Sequence, residues 1–152
     1  MWPMAVSPLD DLLARLPHRP PMRLIEEILE VTPGAFARTR RVAHAGDWYF
    51  DGHFPDAPVI PAIALVEFLA QTGGLAVVPA RADGTLSLRV AAFTDFKFPA
   101  AAGPGVTLEA TARVAGHMGP LTKIEGTVTA NGRLVAIGAI TLAEVATADS
   151  ER

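Results

Sequence analysis

Alternating apolar and polar positions run through the second half of the chain and predict a series of β-strands. From Val106 to Ala115, one parity is apolar and the other carries threonine, glutamate and arginine, which is the two-residue period of a half-buried strand. Comparable segments at Thr85–Phe98, Leu121–Ala130 and Arg133–Val145 give four strands in succession. The segment Leu134–Leu142 is apolar on both parities, so we expect the last strand to lie inside the sheet.

Turn signals divide the remaining strand-like segments. Asn131 and Gly132 are typical of a tight hairpin between the last two strands. Met22–Val31 is rich in apolar residues, and its periodicity alone allows either a strand or a helix. The Thr-Pro-Gly turn that follows favours a strand. Ala35–His44 alternates only in part and is interpreted as the next strand.

One long helix is predicted in the middle of the chain, from Ala62 to Val78. Pro61 suits its first turn, and apolar residues on every side predict burial all round. A shorter helix is predicted from an N-cap at Ser7 to Pro17, which ends it. One buried helix followed by an antiparallel meander is typical of an α+β domain whose sheet curls around the helix, which is the hotdog fold.

The composition fits one well-filled core, because the 152 residues are 50% hydrophobic and 19% charged. We expect one domain over residues 1–152, with flexible ends at 1–6 and 146–152. The net charge of −3 argues against a nucleic-acid-binding protein, which needs clustered Lys and Arg. The absence of cysteine leaves no disulfide and no thiol nucleophile, and it is compatible with a cytoplasmic location.

Two features could suggest other partners. The cluster Arg38, Arg40 and Arg41 is interpreted as a solvated strand face rather than as a docking patch for an anionic partner. The apolar run Pro61–Val78 approaches membrane-spanning length, but a glutamate, a glutamine and two glycines within it favour a buried helix. We therefore expect no membrane segment, and the N-terminus shows no secretory signal.

His53 and Glu67 are the candidate catalytic residues, because the pattern of apolar and polar positions does not account for them. His53 lies in a Gly-His-Phe-Pro loop, and Glu67 is one acid in an otherwise apolar stretch of the predicted helix. Burying an ionised carboxylate is costly unless it is paired or protonated, so its presence predicts a functional role. Together the two residues form a candidate acid/base pair. The alternative is a structural hydrogen-bonded pair.

The residues around this pair resemble a known signature. Gly52–Pro61 (GHFPDAPVIP) and Val66–Gln71 (VEFLAQ) resemble the 3-hydroxyacyl-acyl-carrier-protein dehydratases of the FabZ type. Shorter pieces at Leu16–Pro20, Lys97–Pro99 and Pro104–Gly105 extend the resemblance over most of the chain. It implies an enzyme that converts 3-hydroxyacyl thioesters to trans-2-enoyl thioesters in fatty-acid or related acyl-chain biosynthesis.

The resemblance also implies roles for individual residues. A neutral His53 takes the C2 proton, and Glu67, if apolar burial keeps it protonated, hands a proton to the 3-hydroxyl or orients it. The backbone N–H of Ala62 binds the thioester carbonyl at the positive end of the helix. Phe54 and Gln71 are further candidates for contacting substrate, although Gln71 could equally satisfy Glu67 or a backbone group.

Partners and cofactors follow from the same comparison. The family's histidine and acid come from different subunits, which implies a homodimer, often assembled further into a hexamer as a trimer of dimers. The acyl substrate is carried on acyl carrier protein or coenzyme A. No metal-ligand spacing and no phosphate-binding loop is visible, so we expect no cofactor and no metal.

Two alternative functions stay open at this point, as do the roles of the three other histidines. Asp56 and Ala62 stand where the family usually has glycine, so a catalytically impaired acyl-binding or dimer-partner subunit is one alternative. A hotdog acyl thioesterase is another. His18, His44 and His117 lack an acidic partner at recognisable spacing; we expect a structural role for His18 and solvent exposure for the other two.

Overall fold

The computed structural model describes residues 13–14, 16–78 and 87–145. Within them, six antiparallel strands form one sheet in the order β1-β2-β4-β5-β6-β3. The strands are β1 (Glu27–Thr32), β2 (Phe36–Val42), β3 (Leu88–Lys97), β4 (Thr107–Met118), β5 (Leu121–Ala130) and β6 (Arg133–Glu144). The helix α1 (Ala62–Ala76) packs on one face of this sheet. The α+β hotdog fold predicted from the sequence is therefore confirmed.

The strand predictions hold with shifted ends. β5 has the predicted bounds, whereas the strand expected over Met22–Val31 begins only at Glu27. Asn131 and Gly132 close the β5–β6 hairpin with φ of 48° and 85°, as a tight turn of this type requires. β6 lies between β5 and β3, as its apolar sequence predicts.

The centre of α1 packs closely against the sheet. Phe68 and Leu69 are 1% and 0% exposed. A Cβ at Gly73 would come within 3.0 Å of the Ile124 side chain, so this glycine lets the helix approach β5 closely. Thr72 adds a buried hydroxyl contact of 2.7 Å to Thr39 on β2. These contacts fix the direction in which the helix presents its other side chains.

The expectation that α1 is buried all round is wrong at its N-terminal end. Ala62 is exposed, and the Ile63 side chain is 72% exposed. The reason is that the sheet covers only one side of the helix, and the edge strand β3, whose Phe93 lines a cavity together with Ile63, is itself largely exposed, with Phe93 at 61%. An apolar surface on α1 and β3 is thus left uncovered by this chain.

The predicted arginine cluster divides between two environments. Arg38 and Arg40 lie on the solvent side of β2 and form ion pairs of 3.3 to 4.0 Å with Glu27, Glu30 and Glu109. The prediction of a solvated strand face is confirmed for these two residues. Arg41, in contrast, turns to the opposite side, where its side chain is 11% exposed.

Several predictions lie outside the described residues. These are the flexible ends at 1–6 and 146–152 and most of the helix expected from Ser7 to Pro17. Within the described part of the chain, no helix combines the length and apolar character that crossing a bilayer requires.

Candidate active site

The loop that carries His53 (residues 51–58) follows a short 3₁₀ helix, Trp48–Phe50. The backbone N–H of His53 donates to the carbonyl of Phe50 at 3.1 Å, which continues the turn into the loop. Gly52 and Phe54 have φ of 73° and 52°. A bulky residue rarely adopts such a φ, and strain of this kind is concentrated at functional sites.

The His53 imidazole is held in one orientation by the far end of its own loop. Its Nδ1 lies 3.0 Å from the carbonyl oxygen of Val59. A carbonyl can only accept, so Nδ1 carries the proton of the neutral ring and Nε2 is left as the proton acceptor. The Phe54 ring meets the imidazole edge to face at a centroid distance of 4.8 Å. The tautomer is the one that a general base at Nε2 needs.

Glu67 is fixed by a buried amide one helical turn further along α1. The Oε2 atom of Glu67 accepts a hydrogen bond of 2.9 Å from Nε2 of Gln71, which is 1% exposed. The same amide donates to the carbonyl of Met22 and accepts from the N–H of Leu24, each at 2.8 Å. Gln71 therefore satisfies both Glu67 and the backbone, which were the open interpretations of this residue.

The sequence reasoning missed His18 as a neighbour of Glu67. Nε2 of His18 lies 3.5 Å from Oε2 of Glu67, an acidic partner that spacing along the sequence did not reveal. Glu67 is also not fully buried, since its side chain is 27% exposed. The two residues are distant in sequence, and their only shared signal was that both lie in pieces of the family resemblance.

The other histidines lie away from this carboxylate. His44 is 52% exposed and pairs with Glu26 at 2.8 Å, so its exposure was predicted correctly and its partner was not. His117 is exposed and contacts the Thr122 hydroxyl at 3.0 Å.

Glu67 lies between two cavities. The first, of about 360 Å³, is almost wholly apolar and is lined, besides Glu67, by Ala62, Ile63, Val66, Val90, Phe93, Phe96 and Phe98. The second, of about 290 Å³, also contains His18, Gln71 and Arg89. Ala62 is the first residue of α1, so its N–H has no acceptor within the helix. The apolar cavity thus has a carboxylate and a helix N-terminal N–H in its wall.

The two predicted catalytic residues do not line a common cavity among those formed by the described residues. His53 is not among the residues that line either cavity containing Glu67. A larger cavity, of about 720 Å³, lies near Ala76 and His117 and includes none of the predicted site residues.

The two substitutions at usual glycine positions are sterically accommodated. Asp56 is exposed and is not among the residues with positive φ, so its side chain adds no backbone strain. Ala62 is exposed at the cavity wall. Phe54 is also exposed, at 63%. Among the described residues, no group of three or more His, Asp or Glu side chains is placed to hold a metal ion.

Comparison with known proteins gives consistent family matches. The model of the FabA-like domain matches residues 16–139. A 3-hydroxyacyl-[acyl-carrier-protein] dehydratase FabZ from Roseiflexus sp. (strain RS-1) is 34% identical over 135 residues, covering 89% of this chain and 94% of the relative. The enzyme of the same name from Oleidesulfovibrio alaskensis is 33% identical over 142 residues, covering 91% and 92%.

Solved structures support the fold at low sequence identity. The dehydratase heterocomplex ApeI:P from Xenorhabdus doucetiae superimposes with a TM-score of 0.76 at 14% identity, covering 92% of this chain and 94% of that one. Cj0977, a sigma28-regulated virulence protein from Campylobacter jejuni, has a TM-score of 0.69 at 11% identity, covering 97% of each chain.

Proposed function

The chain belongs to the FabA-like domain family, and on that premise we propose that it removes water from 3-hydroxyacyl thioesters to give trans-2-enoyl thioesters in fatty-acid biosynthesis. Its relatives with 33 to 34% identity are named as dehydratases of this kind. The observation that carries the proposal is Glu67, a carboxylate held by Gln71 in the wall of an apolar cavity.

His53 acts as the base. Its Nδ1–H is engaged by Val59, so the lone pair on Nε2 takes the C2 proton of the substrate. The negative charge that develops on the thioester oxygen is stabilised by the N–H of Ala62 and by the positive end of α1. A positioned base contributes typically about 10² to 10⁴-fold and one such N–H donor about 10² to 10³-fold.

Glu67 serves the departing hydroxyl. Its Oε2 is occupied by Gln71, and within the described residues Oε1 takes part in no hydrogen bond, so Oε1 meets the 3-hydroxyl. In its carboxylic acid form Glu67 gives its proton to the 3-hydroxyl, the C3–O bond breaks with departure of water, and the C2–C3 double bond forms. The proton that His53 took from C2 is released to solvent, from which Glu67 takes up a proton again before the next turnover. His18, beside the same carboxylate, limits the orientations open to it.

The active unit of this proposal is a homodimer. Neither cavity that contains Glu67 is lined by His53, and α1 and β3 leave an apolar surface uncovered. An exposed edge strand and a contiguous apolar patch are features that subunit interfaces bury. A second copy seated on this surface under two-fold symmetry brings its His53 to Glu67 twice, once in each of two equivalent sites.

A direct assay tests the function. Purified protein is given 3-hydroxybutyryl and longer 3-hydroxyacyl thioesters, on acyl carrier protein and on coenzyme A, and enoyl absorbance is followed. We expect turnover that His53→Ala and Glu67→Gln each abolish, while His117→Ala leaves it unchanged. Turnover that survives His53→Ala would contradict the assignment of the base, and release of free thiol without enoyl product would identify a thioesterase instead.

A further inference from the structure

A charged cluster that the proposed reaction does not use lies at the start of the 3₁₀ helix that leads into the His53 loop. It consists of Arg41 at the end of β2 and of Asp47 and Tyr49 at the start of the 3₁₀ helix. The side chains of Arg41 and Asp47 are each 11% exposed, and Tyr49 is 5% exposed. Charged groups buried to this extent require a specific arrangement of partners.

Asp47 receives donors at both of its carboxylate oxygens. Arg41 Nη2 lies 2.7 Å from Oδ1, and the Tyr49 hydroxyl donates to Oδ2 at 2.6 Å. The backbone N–H of His44 also donates to Oδ2, at 3.0 Å. The carboxylate is thereby fixed from three directions, and with it the residue from which the 3₁₀ helix starts.

A chain of backbone hydrogen bonds leads from Asp47 to His53. The carbonyl of Asp47 accepts from the N–H of Phe50, and that of Trp48 accepts from Asp51, each at 3.1 Å. The carbonyl of Phe50 then accepts from the N–H of His53 at 3.1 Å. The turn from Asp47 to Phe50 ends at the residue where the turn from Phe50 to His53 begins, so these hydrogen bonds connect the position of Asp47 to that of His53.

Arg41 ties this assembly to the segment that also holds Glu67. Its Nη1 donates to the carbonyl of Leu24 at 3.0 Å, and the N–H of Leu24 donates to Gln71 at 2.8 Å. The indole N–H of Trp48 donates to the carbonyl of Pro21 at 2.9 Å. One short backbone segment thus supports the His53 side through Arg41 and the Glu67 side through Gln71.

We propose that Arg41 is a positioning residue for His53: its guanidinium fixes Asp47, and Asp47 fixes the 3₁₀ helix and loop that aim the imidazole at substrate. The proposal rests on the proposed function, in which His53 takes the C2 proton. A misplacement of about 1 Å can cost roughly a hundredfold in rate, so a small shift of the loop suffices to be seen.

A purely stabilising role would favour other residues at these positions. Replacing a buried ion pair by apolar groups of similar volume is often neutral or stabilising. Arg41 moreover contacts Asp47 through Nη2 and the Leu24 carbonyl through Nη1, and a rigid guanidinium fork fixes two such partners relative to each other more tightly than a flexible lysine ammonium does. Its neighbour Arg40 makes exposed ion pairs only, with 39% of its side chain exposed.

The kinetic test compares Arg41→Met with Arg40→Met as the matched control on the other face of the same strand. We expect Arg41→Met to lower kcat at least about tenfold while KM changes less than about threefold, because binding surfaces are untouched and the base is misaligned. Arg41→Lys should recover part of the loss and Arg40→Met should lose none. A kcat for Arg41→Met within about twofold of the unchanged protein overturns the proposal.

A spectroscopic test reads His53 without any substrate. The protein has four histidines. When they are isotope-labelled, the signal that disappears in the His53→Ala variant is that of His53. We expect Arg41→Met to shift or broaden that signal and Arg40→Met to leave it in place. This spectroscopic test does not depend on turnover. If the unchanged protein shows no dehydratase activity, a displaced His53 signal in Arg41→Met still supports the positioning role, and an unchanged His53 signal refutes it.

A second variant covers the case in which Arg41→Met does not fold. Tyr49→Phe keeps the ring and removes one donor from Asp47. We expect it to disturb the His53 signal and to lower kcat by about threefold, with KM unchanged. The absence of both effects would overturn the proposal.

Discussion

Single buried polar side chains determine where the candidate catalytic groups point. The side-chain amide of Gln71 forms hydrogen bonds with Met22, Leu24 and Glu67, and the Asp47 carboxylate accepts from three donors. Leaving such groups unsatisfied costs about 1–3 kcal/mol each, so their geometry is strongly enforced. At this scale, the structure is built to hold a carboxylate and an imidazole in fixed orientations.

The titration of Tyr49 tests whether its hydroxyl is buried and hydrogen-bonded in the cluster of Arg41, Asp47 and Tyr49. Burial raises the pKa of Tyr49 to about 12, and the hydrogen bond to Asp47 adds to the rise. The folded state thus holds the proton more tightly. The extra stability that this proton gives the folded state is fully present below the pKa of an unfolded tyrosine, about 10, and is lost as the pH rises through about 12.

Tyr49 is the one tyrosine of the chain, so tyrosinate absorbance reports it alone. We expect a native titration near pH 12 and a titration near 10 in denaturant. Tyr49→Phe should remove that absorbance change and weaken the stability loss over this pH interval. A native titration near 10 would contradict the buried, hydrogen-bonded tyrosine.

At the scale of elements, the position of α1 on the sheet depends on small residues in the strands beneath it. Gly126 on β5 faces the helix, where an added Cβ would lie 2.7 Å from the Leu69 side chain and would collide with the carbonyl oxygen of Thr111. A backbone oxygen cannot move aside as a side chain can. The direction in which α1 carries Glu67 therefore depends on the absence of a side chain here.

Gly126→Ala is expected to destabilise the fold by about 1–3 kcal/mol through overpacking. Gly116→Ala is the matched control, because a Cβ there would have no neighbour within 4 Å. Urea unfolding of both variants measures the difference. Equal stability of Gly126→Ala and Gly116→Ala would show that the helix does not press on β5 as described.

At the scale of the whole molecule, the chain has a filled core and an exposed apolar surface beside Glu67. Its core is filled by α1 and the inner face of the sheet. The edge strand β3 and the N-terminal end of α1 expose Phe93 and Ile63 beside the cavity that contains Glu67. The proposed second subunit supplies both the missing cover and the missing imidazole.

Mixing two inactive variants tests whether the site is shared. A hybrid dimer of His53→Ala and Glu67→Gln chains has one site that carries both changes and one intact site. After subunit exchange, half of the dimers are hybrids, so we expect activity to return to roughly a quarter of the unchanged level. Each variant alone, treated in the same way, should stay inactive. If mixing restores nothing although native mass spectrometry shows hybrid dimers, both residues act within one chain.

Residues with strong local signals were predicted well. Asn131 and Gly132 marked their hairpin, and the doubly apolar β6 was assigned to the interior of the sheet, because turn chemistry and strand periodicity are local properties. The contact between His18 and Glu67 was not predicted, because it joins residues far apart in sequence. Arg41 was grouped with Arg38 and Arg40, although on a strand it must face the other way.

The amino-acid sequence by itself determined the hotdog class and the order of strands and helix along the chain, and it singled out His53 and Glu67 as candidates, since periodicity and motif spacing are properties of the linear chain. Tertiary structure alone decided which groups contact those two residues and that the N-terminal end of α1 stays exposed. The physical reason is that each of these depends on contacts between distant segments, which form only when the sheet closes on the helix.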